Sequence, residues 1–155
     1  MVKIDKRRFG VATVGVPANW VDNSVINFIG PDVDGVRPNL VVIQRQVTGK
    51  PSAAQFAKQQ KAMLEEAALT EFQILEEGAV VVGKRKFHRL AFSWLFDAAS
   101  DEGAAAGAKP VHLRQDQYYL VDGQKTLTVT LTCPLTGFAK MQPVFAAIVD
   151  ETALD

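Results

Sequence analysis

The sequence is poor in cysteine, in net charge and in long apolar runs, and each shortage excludes a class of protein. A single cysteine, Cys133, leaves no partner for a disulfide within the chain, which excludes a disulfide-held scaffold. Lysine plus arginine number 17, as do aspartate plus glutamate, so nothing in the charge favours a nucleic acid partner. No apolar run reaches the roughly 18 residues that span a bilayer, and we expect no stable membrane insertion.

The sequence also lacks the residue patterns of common catalytic and metal sites. The two histidines, His88 and His112, fall in different predicted strands without cysteine or carboxylate at metal-ligand spacing. There is no nucleophile elbow, phosphate-binding loop or glycine-rich dinucleotide turn. Cys133 ends an alternating apolar strand, which is typical of a buried, inert thiol. We therefore expect a protein that is not an enzyme, with no catalytic residue, no metal site and no cofactor.

The first residues combine basic side chains with a short apolar run, as a secretory signal does. The run has only about eight residues, contains Thr13 and shows no convincing cleavage site. We predict that it forms the first strand, Phe9–Val16, and that the protein is cytoplasmic.

At 155 residues the chain fits one domain, 1–155, and its patterns predict strands interrupted by two helices. The first helix should begin after Ser52, which forms a capping box with Gln55, and end near Leu69. A closing helix should have Pro143 at its first position. A flexible loop is predicted at Asp97–Lys109. The predicted strands, after the first, are Val25–Ile29, Asn39–Val47, Phe72–Val82, Lys84–Phe96, Val111–Val121 and Lys125–Cys133. This order predicts an antiparallel α+β sandwich.

Uncharged polar side chains occur where a simple core would be apolar. Gln60 lies on the apolar stripe of the first helix. Gln115 and Gln117 share one face of a predicted strand with Val111, Leu113 and Tyr119. If Asp122-Gly123 is a two-residue turn, Gln115 faces Thr130 and Gln117 faces Thr128. Such a surface suits a ligand that is mostly hydrophobic but carries hydrogen-bonding groups. The alternative is a solvated sheet face with threonines that favour strands.

An ordered set of residues resembles the DcrB-like family. The segment from Trp20 to Phe28, with Asp22 and Ser24, resembles its signature. Further matches are Asn39-Leu40-Val41-Val42 with Arg45, Gly83 before Phe92 and Trp94, and Leu113-Arg114-Gln115 before Leu131-Thr132. The similarity runs from about Phe9 to Val149 and implies the Mog-type, PsbP-like α/β/α sandwich. The sequence leaves open whether Trp20 lines the binding groove or packs beneath it, although a tryptophan at a turn before a strand is more often a core residue.

The resemblance also implies a function. Signal-less members of the family include the effector-associated (Eag) chaperones of bacterial type VI secretion, which are homodimers. They hold the hydrophobic N-terminal transmembrane helices of toxin effectors before loading on the secretion spike. The implied client-binding residues are Val25, Asn27, Val42, Gln60 and Gln115, to which the strand pattern adds Gln117; Asn27 replaces a usual apolar residue. The alternatives are a small-ligand or lipid-binding module and a hydrolase with an unrecognised site.

Overall fold

Eight strands and two α-helices are present in the computed structural model, which describes residues 3–97 and 109–154 apart from the Phe9 side chain. The strands are β1 Ile4–Phe9, β2 Ala12–Pro17, β3 Val25–Ile29, β4 Asn39–Gln46, β5 Gln73–Val82, β6 Arg85–Phe96, β7 Val111–Asp122 and β8 Lys125–Pro134. The helices are α1 Ala53–Glu66 and α2 Phe138–Asp150. Most of the predicted loop Asp97–Lys109 lies outside the described residues.

Six strands form one antiparallel sheet in the order β3-β4-β8-β7-β6-β5, and the two helices cover opposite faces of it. On one face α1 packs on β6 and β7, where Phe56 meets the ring of Tyr119 edge-on at 5.6 Å between centroids. On the other face α2 packs on β8, where Phe145 and Val149 join the apolar side chains of β8. We call these faces the α1 side and the α2 side. The layering confirms the predicted α+β sandwich.

The N-terminal strand prediction was wrong, because Phe9–Val16 is not one strand. Gly10 and Val11 form a two-residue turn between β1 and β2, and Gly10 has a φ of +56°. A positive φ at the first turn residue is typical of the type II′ hairpin turn, for which glycine is the natural residue. The β1-β2 hairpin, which we call the arm, is a separate two-stranded sheet.

The helix starts illustrate one success and one error. At α1 the Ser52 side chain accepts from the Gln55 backbone N–H at 3.1 Å, while the Gln55 side chain accepts from the Ser52 N–H at 2.9 Å. This reciprocal pair confirms the predicted capping box. The closing helix instead starts at Phe138, after a 3₁₀ turn at Leu135–Gly137, and Pro143 lies inside it. Packing of Phe138 and Phe145 against the α2 side outweighs the one backbone hydrogen bond that proline removes.

Candidate functional site

Strand β7 sends two kinds of polar side chain to the two faces of the sheet. Successive side chains of a strand point to opposite faces. Gln115 and Gln117 therefore share the α1 side with Tyr119, which belongs to the cluster under α1. Arg114 and Asp116 share the α2 side with Tyr118, which belongs to the cluster under α2. One strand thus carries neutral amides on one face and an ionic cluster on the other.

On the α1 side the amides form a continuous hydrogen-bonded chain. The Tyr119 hydroxyl donates to Gln117 Oε1. Gln117 Nε2 donates to Gln115 Oε1 at 2.8 Å, and Gln115 Nε2 donates to Thr132 Oγ1 at 2.9 Å. We call these four residues the amide chain. Its direction is set by Tyr119, because a phenol deep under α1 has one proton to donate and burial raises its pKa, keeping it protonated.

The amide chain keeps unused hydrogen-bonding capacity. A glutamine amide has two N–H donors and two lone pairs on its oxygen. Gln115 uses one donor and one acceptor within the chain, and so does Gln117. Both side chains are only half-buried. Each glutamine can therefore donate to and accept from a ligand without breaking the chain.

An apolar surface lies beside the amide chain, on β3 and β4. The register pairs Val25 with Ile43 and Asn27 with Val41, and Val41 in turn pairs with Thr130 of β8. These residues share the α1 side with the amide chain. Val25 and Ile29 are exposed by 59% and 57%, whereas Val41 and Ile43 are half-buried. We define the open face as Val25, Asn27, Ile29, Val41 and Ile43.

The open face is left free because α1 lies over the other half of the sheet. Among the described elements, α1 has its main contacts with β6 and β7. The ion pair between Lys61 and Glu77, at 3.1 Å, ties one flank of α1 to β5. The opposite flank carries Met63, which is 62% exposed, and Gln60, one turn after Phe56. The Met63 flank of α1 is therefore the one turned toward β8 and the open face.

The structure places five of the six predicted client-binding residues on the α1 side. Val25 and Asn27 lie on the open face, and Gln115 and Gln117 lie in the amide chain. Gln60 is half-buried on α1, in the row of Phe56 that faces the sheet. Val42 is the exception. It pairs with Val129 and packs in the cluster under α2, because a shift of one residue along a strand reverses the face.

Sequence reasoning assigned Val42 to the binding surface and missed the two β4 residues that lie there. Val41 and Ile43 flank it and point to the α1 side. The segment Leu40–Ile43 is apolar at every position, so alternation gives no signal for its orientation. The neighbouring threonines of β8 would have provided one, because Thr128 and Thr130 pair directly with Ile43 and Val41.

The predicted register of β7 and β8 was wrong by two residues. Gln115 pairs with Thr132 and Gln117 with Thr130, since the turn residues are Gly123 and Gln124 rather than Asp122 and Gly123. Gly123 has a φ of +60° and needs the first turn position, as Gly10 does in the arm. A shift of two residues preserves the face, so the glutamines and threonines still lie on the same side.

Of the two positions considered for Trp20, the structure excludes the core. Its side chain is 67% exposed, and it follows β2 where the chain leaves the arm. A cavity of about 300 Å³ lies there, lined by Arg7 from the arm, by residues 18–22 and by residues 44–46 with Lys125. The ion pair of Arg7 with Asp22, at 3.9 Å, is a contact between the arm and the segment before β3.

A larger cavity lies at the far end of the sheet, between the β3-β4 loop and the start of β7. Its volume is about 620 Å³, which is in the range of small-molecule sites. Its apolar lining comes from Val36, Phe96, Pro110, Val111 and Leu113, and its polar lining from Asp34, Arg37 and Lys109.

On the α2 side, β7 carries an ionic cluster. Asp116 is 1% exposed and accepts from two arginines, Arg89 at 2.5 Å and Arg114 at 2.8 Å. Glu76 of β5 bonds to the same two arginines, at 2.9 and 2.8 Å. The Arg114 guanidinium also stacks on the ring of Phe138, 3.5 Å from its centroid. This network joins β5, β6, β7 and α2, and its main acceptor, Asp116, is buried. We therefore interpret it as stabilising the fold rather than binding a ligand.

Cys133 lies on the α2 side and fits the predicted inert thiol. It is fully buried, and burial raises its pKa to about 11. A thiol with this pKa is almost entirely protonated at neutral pH, and the thiolate is the nucleophilic form. The residues described include no group of three or more histidine, cysteine, aspartate or glutamate side chains suited to a metal ion.

Within the parts of the chain described, neither helix has the length and apolar character that crossing a bilayer requires.

Comparisons with known proteins give a family and a fold. The structure is similar over 98% of this chain and 97% of the other to PA94 of Pseudomonas aeruginosa, a protein of unknown function, with a TM-score of 0.69 and 16% identity. LpqN of Mycobacterium tuberculosis, involved in cell envelope biogenesis, matches over 97% of this chain and 89% of its own, with a TM-score of 0.45 and 18% identity. No curated protein matches significantly. The DcrB family model matches residues 12–151, and the chain therefore belongs to the DcrB family.

Proposed function

We propose that this protein is a cytoplasmic chaperone that binds the hydrophobic N-terminal transmembrane helices of a type VI secretion effector before loading. It resembles the Eag branch of the family in the residues set out above, and it acts as a homodimer. The binding site is the open face on β3 and β4, together with the amide chain and the α1 flank with Gln60, which both lie on its β8-β7 side.

One observation carries the proposal: the exposed apolar strand β3 shares one face of the sheet with the half-buried amides of β7, which have spare hydrogen bonds, and only β4 and the threonines of β8 lie between them. An exposed apolar surface is a liability on a soluble protein unless it binds something. Val25, Ile29 and Met63 each expose more than half of their side-chain area. Burial of a side chain of this size contributes about 1.5–3 kcal/mol. A client helix lying on this surface would cover apolar groups on both partners.

The amides match the second property of a transmembrane helix. Such helices associate through small and hydroxyl-bearing residues that bring backbones close and form hydrogen bonds between helices. Gln115 and Gln117 each retain a donor and an acceptor. They can replace the neighbouring helix that the client has inside a membrane. A site for a purely apolar ligand would not need these amides.

Co-expression tests the proposal. The chain is produced with the N-terminal segment of an effector encoded beside it, and the product is examined by size-exclusion chromatography with light scattering. We expect a soluble complex of two chaperone copies with one client that is insoluble alone. As a control, the client is also expressed with a charged open face, Val25→Asp/Ile43→Asp, which should leave it insoluble. A wild-type chain that stays free while the client precipitates would refute the proposal.

A second candidate is a small-ligand or lipid-binding module, and the cavity beside Phe96 and Leu113 favours it. Its volume of about 620 Å³ and its apolar lining could hold part of an acyl chain. Native mass spectrometry of the purified protein distinguishes the two. A bound lipid lost on Leu113→Arg would support the module, whereas a ligand-free protein that retains its client would support the chaperone.

A further inference from the structure

The two edges of the six-stranded sheet differ in their protection against pairing. The β5 edge carries Glu76 and Glu77, an irregularity in register beside them, and Gly78 with a φ of +140°. Charges and bulges of this kind are how natural sheets prevent edge-to-edge association. The β3 edge, Val25-Ile26-Asn27-Phe28-Ile29, has no charge, no proline and no bulge. The β3 edge therefore lacks these protections and is open to pairing with another strand.

The outward-facing main-chain groups of β3 can be identified from its bonds to β4. The Gln44 N–H donates to the Ser24 carbonyl at 3.1 Å, and the Gly30 N–H donates to the Pro38 carbonyl at 2.7 Å. Along an antiparallel strand, residues alternate between the two neighbours in their hydrogen bonds. Even-numbered residues of β3 therefore bond to β4. Val25, Asn27 and Ile29 direct their N–H and C=O groups away from the sheet.

The geometry points to a second copy of this chain as the partner of the β3 edge, paired antiparallel about a two-fold axis at Asn27. Val25 then faces Ile29 of the second copy, and Asn27 faces its equivalent. Residues 25, 27 and 29 are symmetric about Asn27, so this single register satisfies all of the outward groups, with about six hydrogen bonds. Each apolar residue meets an apolar residue, and the one polar residue meets itself.

This register also covers the second apolar surface of β3. Ile26 and Phe28 point to the α2 side, opposite to the open face, and are exposed by 43% and 60%. A client on the open face cannot reach them. In the paired sheet Ile26 lies opposite Phe28 of the second copy on that side, and the two such contacts form a cluster of four apolar side chains.

The consequence is that the proposed binding site is composite. A two-fold axis between antiparallel edge strands is perpendicular to the sheet, so both open faces lie on the same side. They join into one apolar floor between the two α1 helices, which is wide enough for more client surface than one copy covers. This step rests on the proposed function, whereas the β3 pairing itself does not.

Cysteine cross-linking without client tests the pairing. In Asn27→Cys the two thiols face each other across a hydrogen-bonded pair, with Cα atoms about 5.5 Å apart, within disulfide range. We expect a disulfide-linked dimer under mild oxidation. Val25→Cys alone should stay unlinked, because its own equivalent lies about 14 Å away. A mixture of Val25→Cys with Ile29→Cys should link. Native Cys133 is buried and does not interfere. No link in Asn27→Cys or in the mixture would overturn the pairing.

A charge introduced on the α2 side of β3 tests dimerisation without changing the open face. Phe28→Glu lies outside the open face and changes an exposed side chain, so we expect a folded protein whose dimer dissociation constant rises about tenfold or more. Val81→Glu, at a 66% exposed position of the β5 edge, is the matched control and should stay dimeric. Analytical ultracentrifugation measures both.

The client experiment then distinguishes the two proposals. If the chain dimerises through β3 but captures no client, the proposed function fails and the pairing stands. If monomeric Phe28→Glu captures client as well as Val81→Glu does, the composite site fails and the chaperone function stands. If Phe28→Glu loses the client while Val81→Glu retains it, the chaperone function and the composite site are both supported.

Discussion

The two faces of β7 show how one strand can serve stability on one side and recognition on the other. On the α2 side Asp116 is closed off from solvent, and its carboxylate oxygens bond to Arg89 and Arg114. On the α1 side Gln115 and Gln117 bond to each other but stay half-buried and incompletely used. A buried charge must be fully paired within the protein, whereas a half-buried amide can exchange partners with water or with a ligand.

This difference predicts which substitutions damage the fold and which damage binding. The largest effect should come from Asp116→Ala, because it leaves two arginines near each other without their buried counter-charge. Removal of one partner from a buried ionic network costs about 3–5 kcal/mol. Urea unfolding followed by circular dichroism measures it. The control is Glu77→Gln, which breaks the exposed pair with Lys61 and should cost less than about 1 kcal/mol. Similar costs for the two would contradict the structural role of the ionic cluster.

High pH should weaken the fold through buried neutral groups on both faces. Burial raises the pKa of Tyr119, Tyr118 and Cys133, the last to about 11. A folded pKa above the unfolded one means that the unfolded chain loses its proton first. Stability is therefore full below the ordinary pKa values, about 8.5 for cysteine and 10 for tyrosine, and falls as pH rises through and beyond 11.

Urea midpoints between neutral pH and about pH 11 test this dependence. Tyr119→Phe removes the phenol on the α1 side and should make the alkaline fall shallower, whereas Cys133→Ala removes the contribution of the α2 side. A midpoint that stays constant across the range would show that these groups titrate in the same way in the folded and unfolded chains.

Substitutions of the glutamines on the α1 side should reduce client binding but not stability, the opposite of substitutions in the ionic cluster. In Gln60→Ala/Gln115→Ala we expect the thermal midpoint to change little, because water can replace half-buried amides. Client retained in co-purification should fall about tenfold, as expected for the loss of two hydrogen bonds of about 0.5–1.5 kcal/mol each. The matched control is Gln59→Ala/Gln124→Ala, which changes two exposed glutamines. An equal loss of stability and of client in the first variant would make these glutamines structural.

The sequence predicted the layers of this fold better than its details. Residues 90–96 and 126–133 alternate between two kinds of side chain with a period of two, which identifies them as strands. Ser52 with Gln55 marks a helix start through purely local bonds. The arm was missed because Gly10 and Val11 lie within a run of apolar and small residues, where nothing in the sequence marks a turn. The start of α2 was misplaced because tertiary packing at Phe138 decides it, and proline statistics do not contain that packing.

The position of a candidate site residue could be predicted only where the sequence shows which face of the strand it occupies. Gln115 and Gln117 are separated by even numbers of residues from the apolar Val111, Leu113 and Tyr119, so their shared face followed from the sequence alone. Val42 was assigned to the wrong face because Leu40–Ile43 is apolar throughout, and only pairing with β8 settles its direction. The ionic cluster was missed because Glu76, Arg89 and Asp116 come from three strands that only the sheet order brings together.

The smallest effect should come from the last link of the amide chain. Thr132→Val keeps the shape of the side chain but removes the acceptor for Gln115 Nε2. Since Thr132 is half-buried and water can take its place, we expect a cost below about 1 kcal/mol and only a slight loss of client. Thr126→Val provides the comparison, because the Thr126 hydroxyl donates to the Arg45 carbonyl and is 1% exposed. It should be the more destabilising of the two. If Thr132→Val instead unfolds the protein as Asp116→Ala does, the amide chain holds the fold, and the contrast between the two faces of β7 is lost.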